Sequence, residues 1–348
     1  MELRDQLQGT LGAAYLLDHE LGGGGMSRIF VATETAVGRS VVVKVLPPDL
    51  VGTVNMDRFR REIRLAASLK HPNIVPVLTT GETSGVPYYT MPLVEGSSLR
   101  ARLRDFGALP LAEAIGIMLG VAKALAYAHA HGVVHRDIKP DNILLSSGTA
   151  LVTDFGIAKA ISSCTQQSVH TTLTSIGTTI GTPEYMAPEQ AVADPDTDHR
   201  ADIYSFGCMA YEMLAGRPPF VGMAPQRILK AQRTQAPAPV TEFRADVPPA
   251  IADLVMQCLE KEPAKRPQNA AALVWVLETA APHDEQPIDI PATLLVAVVL
   301  GKAMAVYVIA ALAVALVART AIATFRWPDW VLTALLVVMA VGLPIVLL

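Results

Sequence analysis

The eight residues His135-Arg136-Asp137-Ile138-Lys139-Pro140-Asp141-Asn142 constrain this chain more than any other stretch. They crowd a His, an Arg, a Lys, two Asp and an Asn between two apolar runs, Gly132-Val133-Val134 and Ile143-Leu144-Leu145. Charges this dense cannot sit in a core without partners, so the segment reads as a loop between short buried strands. A solvated turn would look the same and would predict nothing about the rest of the sequence. A loop that carries chemistry requires further parts elsewhere.

Those parts follow one another along the chain. The stretch Leu21-Gly22-Gly23-Gly24-Gly25-Met26-Ser27-Arg28-Ile29-Phe30-Val31-Ala32 reads as two strands joined by a glycine loop. Glycine lets backbone approach phosphate closely, because no Cβ intervenes and positive φ is allowed; a flexible hairpin would have the same composition. Ser40-Val41-Val42-Val43-Lys44-Val45-Leu46 is a β-branched run and reads as a strand, with Lys44 by itself an edge or exposed residue. From Asp57 to Leu69, Phe59, Ile63, Ala66 and Leu69 share one helical face. Glu62 lies off that stripe and by itself reads as surface charge, pairing with Arg58 or Lys70. Two strands are expected around Val75–Thr79 and Tyr88–Met91, with Gly81 and Gly85 marking the turn. Leu111 to His131 is a long helical pattern with one broad apolar face. Leu151-Val152-Thr153-Asp154-Phe155-Gly156 is a short strand ending in a turn, its Asp twelve residues after Asn142. The region from Ile157 to Met186 is rich in Ser and Thr, and loops of that length are functional or mobile. The helix opened by Asp202 is apolar almost all round and stops at Gly216 before Pro218-Pro219, which marks it as buried. Pro248 to Leu277 reads as further helices.

In this order the segments resemble protein kinases from about Tyr15 to Leu277, and the octapeptide resembles the H-R-D-x-K-x-x-N catalytic loop. The resemblance implies an α+β fold with two lobes, a small β-rich one and a mainly helical one, and γ-phosphoryl transfer from ATP with Mg²⁺ or Mn²⁺. It makes Asp137 the acceptor of the substrate hydroxyl's proton and Lys139 the neutraliser of charge on the γ-phosphate, with Asn142 and Asp154 as metal ligands. Leu21, Gly22, Gly23, Gly24, Gly25, Met26, Ser27 and Ile29 become the nucleotide-covering loop, with Ser27 at the third small position and Ile29 in place of valine. Val42 stands over adenine where alanine is usual, and Lys44, gripped by Glu62, holds the α- and β-phosphates. Met91 is the gatekeeper, the Pro92 carbonyl and Val94 N–H are the hinge contacts, and Leu144 is the floor.

Lys139 and Thr182, the latter expected to hydrogen-bond Asp137 and Lys139, suit serine/threonine specificity. The Gly-Gly-Met loop and Pro188-Glu189-Gln190-Ala191 resemble bacterial kinases of the PknB kind. Glu189 is expected to pair with Arg266, and Asp202 to tie down the catalytic-loop backbone. Arg136 would pair a phosphate added to the Ser/Thr-rich segment, with Thr174, Thr178 or Thr179 as candidates. Partners implied are protein substrates and a second copy of the chain for trans-autophosphorylation. Two rivals are a scaffold that binds nucleotide without turnover and a small-molecule kinase. Intact Lys44, Glu62, Asp137, Asn142 and Asp154 weigh against the first, and Ala187-Pro188-Glu189 against the second.

Composition bears on the remainder. The chain is 51% hydrophobic and 17% charged, with mean hydropathy +0.36, so a membrane segment is expected. A net charge of −4 argues against nucleic acid as a partner. Cys164, Cys208 and Cys258 are odd in number and far apart, which suits a reducing compartment, and no signal peptide is expected after the charged start. The expected organisation is a lead-in over 1–14, a kinase domain over 15–278 with lobes 15–94 and 95–278, and a linker over 279–291. A membrane anchor is expected over 292–348, either two helices at about 294–318 and 329–348, long enough for roughly 30 Å of hydrocarbon, or a single span with an interfacial segment. Arg319 and Arg326 between the spans oppose the charge rule for a cytoplasmic kinase domain, yet that is where ATP is found, so the domain is placed there. Lys302 would have to snorkel out of the first span.

Overall fold

The computed structural model describes residues 3–24, 27–46, 56–83, 85–155 and 182–280. The expected spans, Cys164, the expected phosphorylation sites, Gly25 and Met26 lie outside the described residues.

The small lobe contains α1 (Leu3–Leu11), β1 (Tyr15–Gly24), β2 (Ser27–Glu34), β3 (Arg39–Val45), α2 (Met56–Ala67), β4 (Thr79–Thr83) and β5 (Val86–Pro92). Its antiparallel sheet has the order β1-β2-β3-β5-β4. β3 is buried on both faces, which explains a run of valines with no polar alternation. Val41, Val43 and Val45 face α1, whose Leu7 and Leu11 complete that cluster with Phe30. Val42 and Leu46 face the other way, towards Ile63 of α2, and share a cluster with Tyr89 and Met91 of β5. The expected lead-in is therefore an integral helix. Leu3, Leu7 and Leu11 are spaced four apart and form its one apolar edge.

The fourth strand begins at Thr79, not Val75. Residues before it are committed elsewhere: Ile74 bridges Val152, and Val75 N–H donates to the Val152 carbonyl at 2.9 Å. Gly81 lies inside β4 and only Gly85 sits in the turn. Gly81 is paired with Tyr88, and a Cβ there would stand 2.4 Å from the Tyr88 ring, so the glycine makes room for an aromatic neighbour.

The large lobe begins with β6 (Ser97–Ser98), α3 (Leu99–Phe106) and α4 (Leu111–Ala130), then β7 (Ile143–Ser146) and β8 (Thr149–Val152). After the undescribed segment come α5 (Pro188–Ala191), α6 (Arg200–Ala215), α7 (Pro225–Thr234), α8 (Pro249–Cys258) and α9 (Ala270–Ala280). A second small sheet has the order β6-β7-β8. Every residue of α6 from Ala201 to Leu214 is buried, as its composition requires, and α4 packs in the same core through Ile115, Met118, Val121 and Leu125. Gly216 ends α6 at φ 73°, returning its N–H to the Glu212 carbonyl. Among the described residues, α4 is the helix long and apolar enough to cross a membrane, and it is a core element of this lobe. Cys208 and Cys258 are free and buried, and burial pushes the Cys208 thiol up to about 12.

Candidate active site

The charged octapeptide leaves α4 and enters β7, and the first turn of α6 holds it from below. Asp202, fully buried there, accepts N–H bonds from His135 at 2.8 Å and Arg136 at 2.6 Å, while its Oδ2 also meets His129 Nε2 at 2.8 Å. These two backbone donors fix Arg136 at φ 69°, a conformation uncommon outside glycine. Burial pushes the Asp202 carboxyl up, but the hydrogen bonds and the neighbouring histidines outweigh it and hold the group below its ordinary value. The expected anchoring of the loop by Asp202 is what the structure shows. His135 adds a second tie: its Nδ1 accepts the Asp137 N–H at 3.2 Å and its Nε2 meets the Thr153 carbonyl at 2.8 Å.

On this frame Asp137, Lys139 and Asn142 converge. Lys139 Nζ lies 2.8 Å from Asp137 Oδ2, and Asn142 Nδ2 donates to the same oxygen at 3.0 Å and to the Asp137 carbonyl at 2.7 Å. The carboxylate is thus oriented through one oxygen, Oδ2. Among the described residues, no hydrogen bond joins Thr182 to Asp137 or Lys139; Thr182 precedes the turn Pro183–Tyr185.

Asp154 belongs to the segment leaving β8, at φ 68°. Lys44 Nζ reaches its Oδ2 at 2.5 Å, and the Tyr89 hydroxyl donates to its Oδ1 at 2.7 Å. Burial raises the Asp154 carboxyl, but the Lys44 charge and the bonds from Lys44 and Tyr89 carry it below its usual range, so it is ionised. Tyr89, buried beside that carboxylate, is raised well above an ordinary phenol. Phe155 turns inward and meets the His135 ring edge-on at 4.7 Å. Glu62 is half-buried on α2, next to the fully buried Ile63.

An apolar cluster borders these groups. Val42 and Met91 are buried in one cluster, with Ile29, Val94 and Leu144 packed against it, so five of the expected adenine contacts come together. Leu21 is exposed on β1. The backbone pairs Gly22 with Ile29, Gly23 with Arg28 and Gly24 with Ser27, which makes the glycine stretch the tip of a hairpin.

The donor set suits a hard cation held jointly with phosphate oxygens. Asn142 spends its amide hydrogens on Asp137, which leaves its Oδ1, and Asp154 supplies an ionised carboxylate. No group of three or more His, Cys, Asp or Glu among the described residues would hold a metal alone.

Two further networks border the site. Arg266, buried, grips Glu189 with two bonds at 2.6 and 2.8 Å, as expected. Arg100 of α3 meets Asp141 at 3.2 Å, Glu212 at 2.8 Å and the Tyr185 hydroxyl at 2.5 Å. Neither Arg100 nor Tyr89 was marked by the sequence. The signal for Tyr89 was its place two residues before Met91, on the same strand face.

A β-rich lobe, a helical lobe, and a carboxylate, a lysine, an asparagine and a second carboxylate gathered near an apolar cluster are what the fold assembles here. Residues 15–275 match the protein kinase domain model, and the chain belongs to that family. A probable serine/threonine-protein kinase of Corynebacterium efficiens is 39% identical over 301 residues, 81% of this chain and 44% of that protein. Serine/threonine-protein kinase PknB of Mycolicibacterium smegmatis is 40% identical over 278 residues, 77% of this chain and 44% of that one. The chain thus spans less than half the length of these relatives. Among solved structures, Rad53 1-466 in complex with AMP-PNP is similar at TM-score 0.61 and 26% identity, covering 75% of this chain and 64% of that one.

Proposed function

We propose that the chain is a serine/threonine protein kinase that transfers the γ-phosphoryl group of ATP to protein hydroxyls. The observation that carries this is the convergence of Lys139 and Asn142 on one oxygen of Asp137, on a loop fixed by Asp202. The free Asp137 oxygen accepts the hydroxyl proton as the nucleophile attacks, and Lys139 stabilises the charge that develops on the transferred group. Ile29, Val42, Met91, Val94 and Leu144 enclose the adenine, and Pro92 and Val94 offer the hinge carbonyl and N–H. Lys44 leaves its contact with Asp154 to share the α- and β-phosphates, with Glu62 as its second partner. Asn142 and Asp154 would hold Mg²⁺, which neutralises phosphate charge and orients the groups that exchange. The names of the bacterial relatives support the serine/threonine assignment, and the AMP-PNP complex of Rad53 supports the nucleotide.

The same reading extends to control and location. Arg136 has a buried Nε with no hydrogen-bond partner, beside the catalytic acid, and a phosphate on the Ser/Thr-rich segment would use that donor. Autophosphorylation there, in trans between two copies, is the regulation we infer. The apolar stretch 292–348 anchors the domain at the cytoplasmic face of a membrane.

The test is transfer of radiolabel from Mg-ATP by the purified protein and by an Asp137→Asn copy, with sites mapped. The expected result is labelling of the wild type within 157–181 and of a generic protein substrate, with none in the variant. Nucleotide binding without transfer to any protein would overturn the proposal in favour of a scaffold.

A further inference from the structure

The Tyr89 phenol has no part in the work of Asp137, Lys139 or Asn142, yet it occupies one oxygen of Asp154. We infer that Tyr89 is a positioning residue that fixes the Asp154 carboxylate for the cation accompanying the nucleotide. This rests on the reading of the chain as an ATP-dependent kinase.

The geometry is specific. Lys44 and Tyr89 are directly paired positions of β3 and β5, so their side chains leave the sheet on the same face and side by side. One donates to Oδ2 of Asp154 and the other to Oδ1, at 2.5 and 2.7 Å. The Thr153 hydroxyl adds only a long contact to Oδ1, at 3.4 Å, which leaves the carboxylate loosely held about its Cβ–Cγ bond, whereas two short bonds from one rigid ladder stop that rotation. Each carboxylate oxygen retains further lone-pair capacity for a cation. The two donors also differ in kind. Lys44 is a point charge on a flexible stem, and it must also serve the phosphates. Tyr89 is a neutral donor on a ring packed among Val42, Ile63, Val75 and Met91, and it stays when Lys44 turns to the nucleotide.

Asp154 has reason to need this support. It stands at φ 68°, and its side chain is mostly buried. Around it the described charged and titratable groups are Lys44, Tyr89 and His135, and of the two that bond its carboxylate Tyr89 is the one with no phosphate to serve. A buried tyrosine hydroxyl always seeks an acceptor. Here the acceptor it takes is the metal-binding carboxylate, and partners that orient metal ligands typically shift metal affinity 10–100-fold.

The experiment uses the full chain and a fluorescent ATP analogue. Its dissociation constant is measured for wild type and Tyr89→Phe, first in EDTA and then across a Mg²⁺ titration. The phenylalanine keeps the buried ring. The expected result is an EDTA affinity within about twofold of wild type and a Mg²⁺ half-saturation raised about tenfold. In an Asp154→Asn background the same substitution leaves the Mg²⁺-supported affinity unmoved. An unchanged Mg²⁺ requirement overturns the inference, as does an equal loss in EDTA, which would mark a packing role only. A wild type whose nucleotide affinity ignores Mg²⁺ overturns the kinase reading itself and this inference with it.

Discussion

The Glu189–Arg266 pair allows a stability prediction from burial alone. The Arg266 side chain has 0% exposure and that of Glu189 9%. All five guanidinium N–H groups are used: two go to Glu189, and the others to the carbonyls of Glu260 at 2.7 Å, Arg200 at 2.9 Å and Lys261 at 3.0 Å. Glu189→Gln keeps the outline of the side chain but turns an acceptor into a donor and leaves a buried cation without a counter-charge. Removing one partner of such a pair costs about 3–5 kcal/mol. Total stabilities are about 5–15 kcal/mol, so about a fifth or more of the reserve is at stake. At about 2–4 °C per kcal/mol for a domain of this size, the Tm falls by roughly 6–20 °C. Urea unfolding followed by circular dichroism, with the slope unchanged, measures the free energy directly. Glu262→Gln is the control, because its pair with Lys265 is exposed by 67% and 58% and should cost under about 1 kcal/mol. A loss below about 1 kcal/mol in Glu189→Gln would refute the reasoning, since a buried charge would then have lost its partner at the cost of an exposed one.

Asp202→Asn sets an NH₂ group against backbone donors of the catalytic loop; phosphoryl transfer should fall roughly 10²-fold with nucleotide affinity within about twofold, and a loss confined to nucleotide binding would count against the loop-anchoring role. Gly96→Ala meets two obstacles, φ 141° and a Cβ that would stand 2.0 Å from the Leu145 carbonyl, so about 3 kcal/mol of stability should be lost in urea unfolding. Lys261 has its ammonium pushed down to about 8 by burial, against an ordinary 10.5. Between those values the unfolded chain binds the extra proton, so stability rises with pH. Tm measured from pH 8 to 10.5 should therefore move in favour of wild type over Lys261→Met.

The sequence carried most of the site because its parts are local. Asp137, Lys139 and Asn142 lie within six residues, and a loop held by its own short-range bonds needs little tertiary information. The extent of α6 was legible for a similar reason: apolar residues on every side and a glycine stop leave one solution. Elsewhere the deciding contact came from far along the chain. Val75, Val77 and Leu78 suit a strand, but Pro76 interrupts them and the Val75 N–H goes to the Val152 carbonyl, a partner far along the chain. Gly81 looked like a turn and is a seat for the Tyr88 ring across the ladder. Lys44 meets Asp154, 110 positions away, and no local pattern announces that contact. Spacing alone puts Tyr89 on the Met91 face, but its bond to Asp154 joins positions 65 apart and has no local sign. Arg100 likewise gathers Asp141, Tyr185 and Glu212 from three separate elements.

The helix α1 has a practical consequence for anyone cutting this protein into pieces. The family match begins at residue 15, and a fragment trimmed to that boundary would discard Leu7 and Leu11. Phe30, Val41 and Val43 would then face water from the inner strands of the sheet, and each buried side chain of this size contributes about 1.5–3 kcal/mol. Light scattering should find fragment 15–280 self-associating at concentrations where fragment 1–280 stays monodisperse. Helix α1 behaves as a built-in lid on a sticky surface, and recombinant design should keep it.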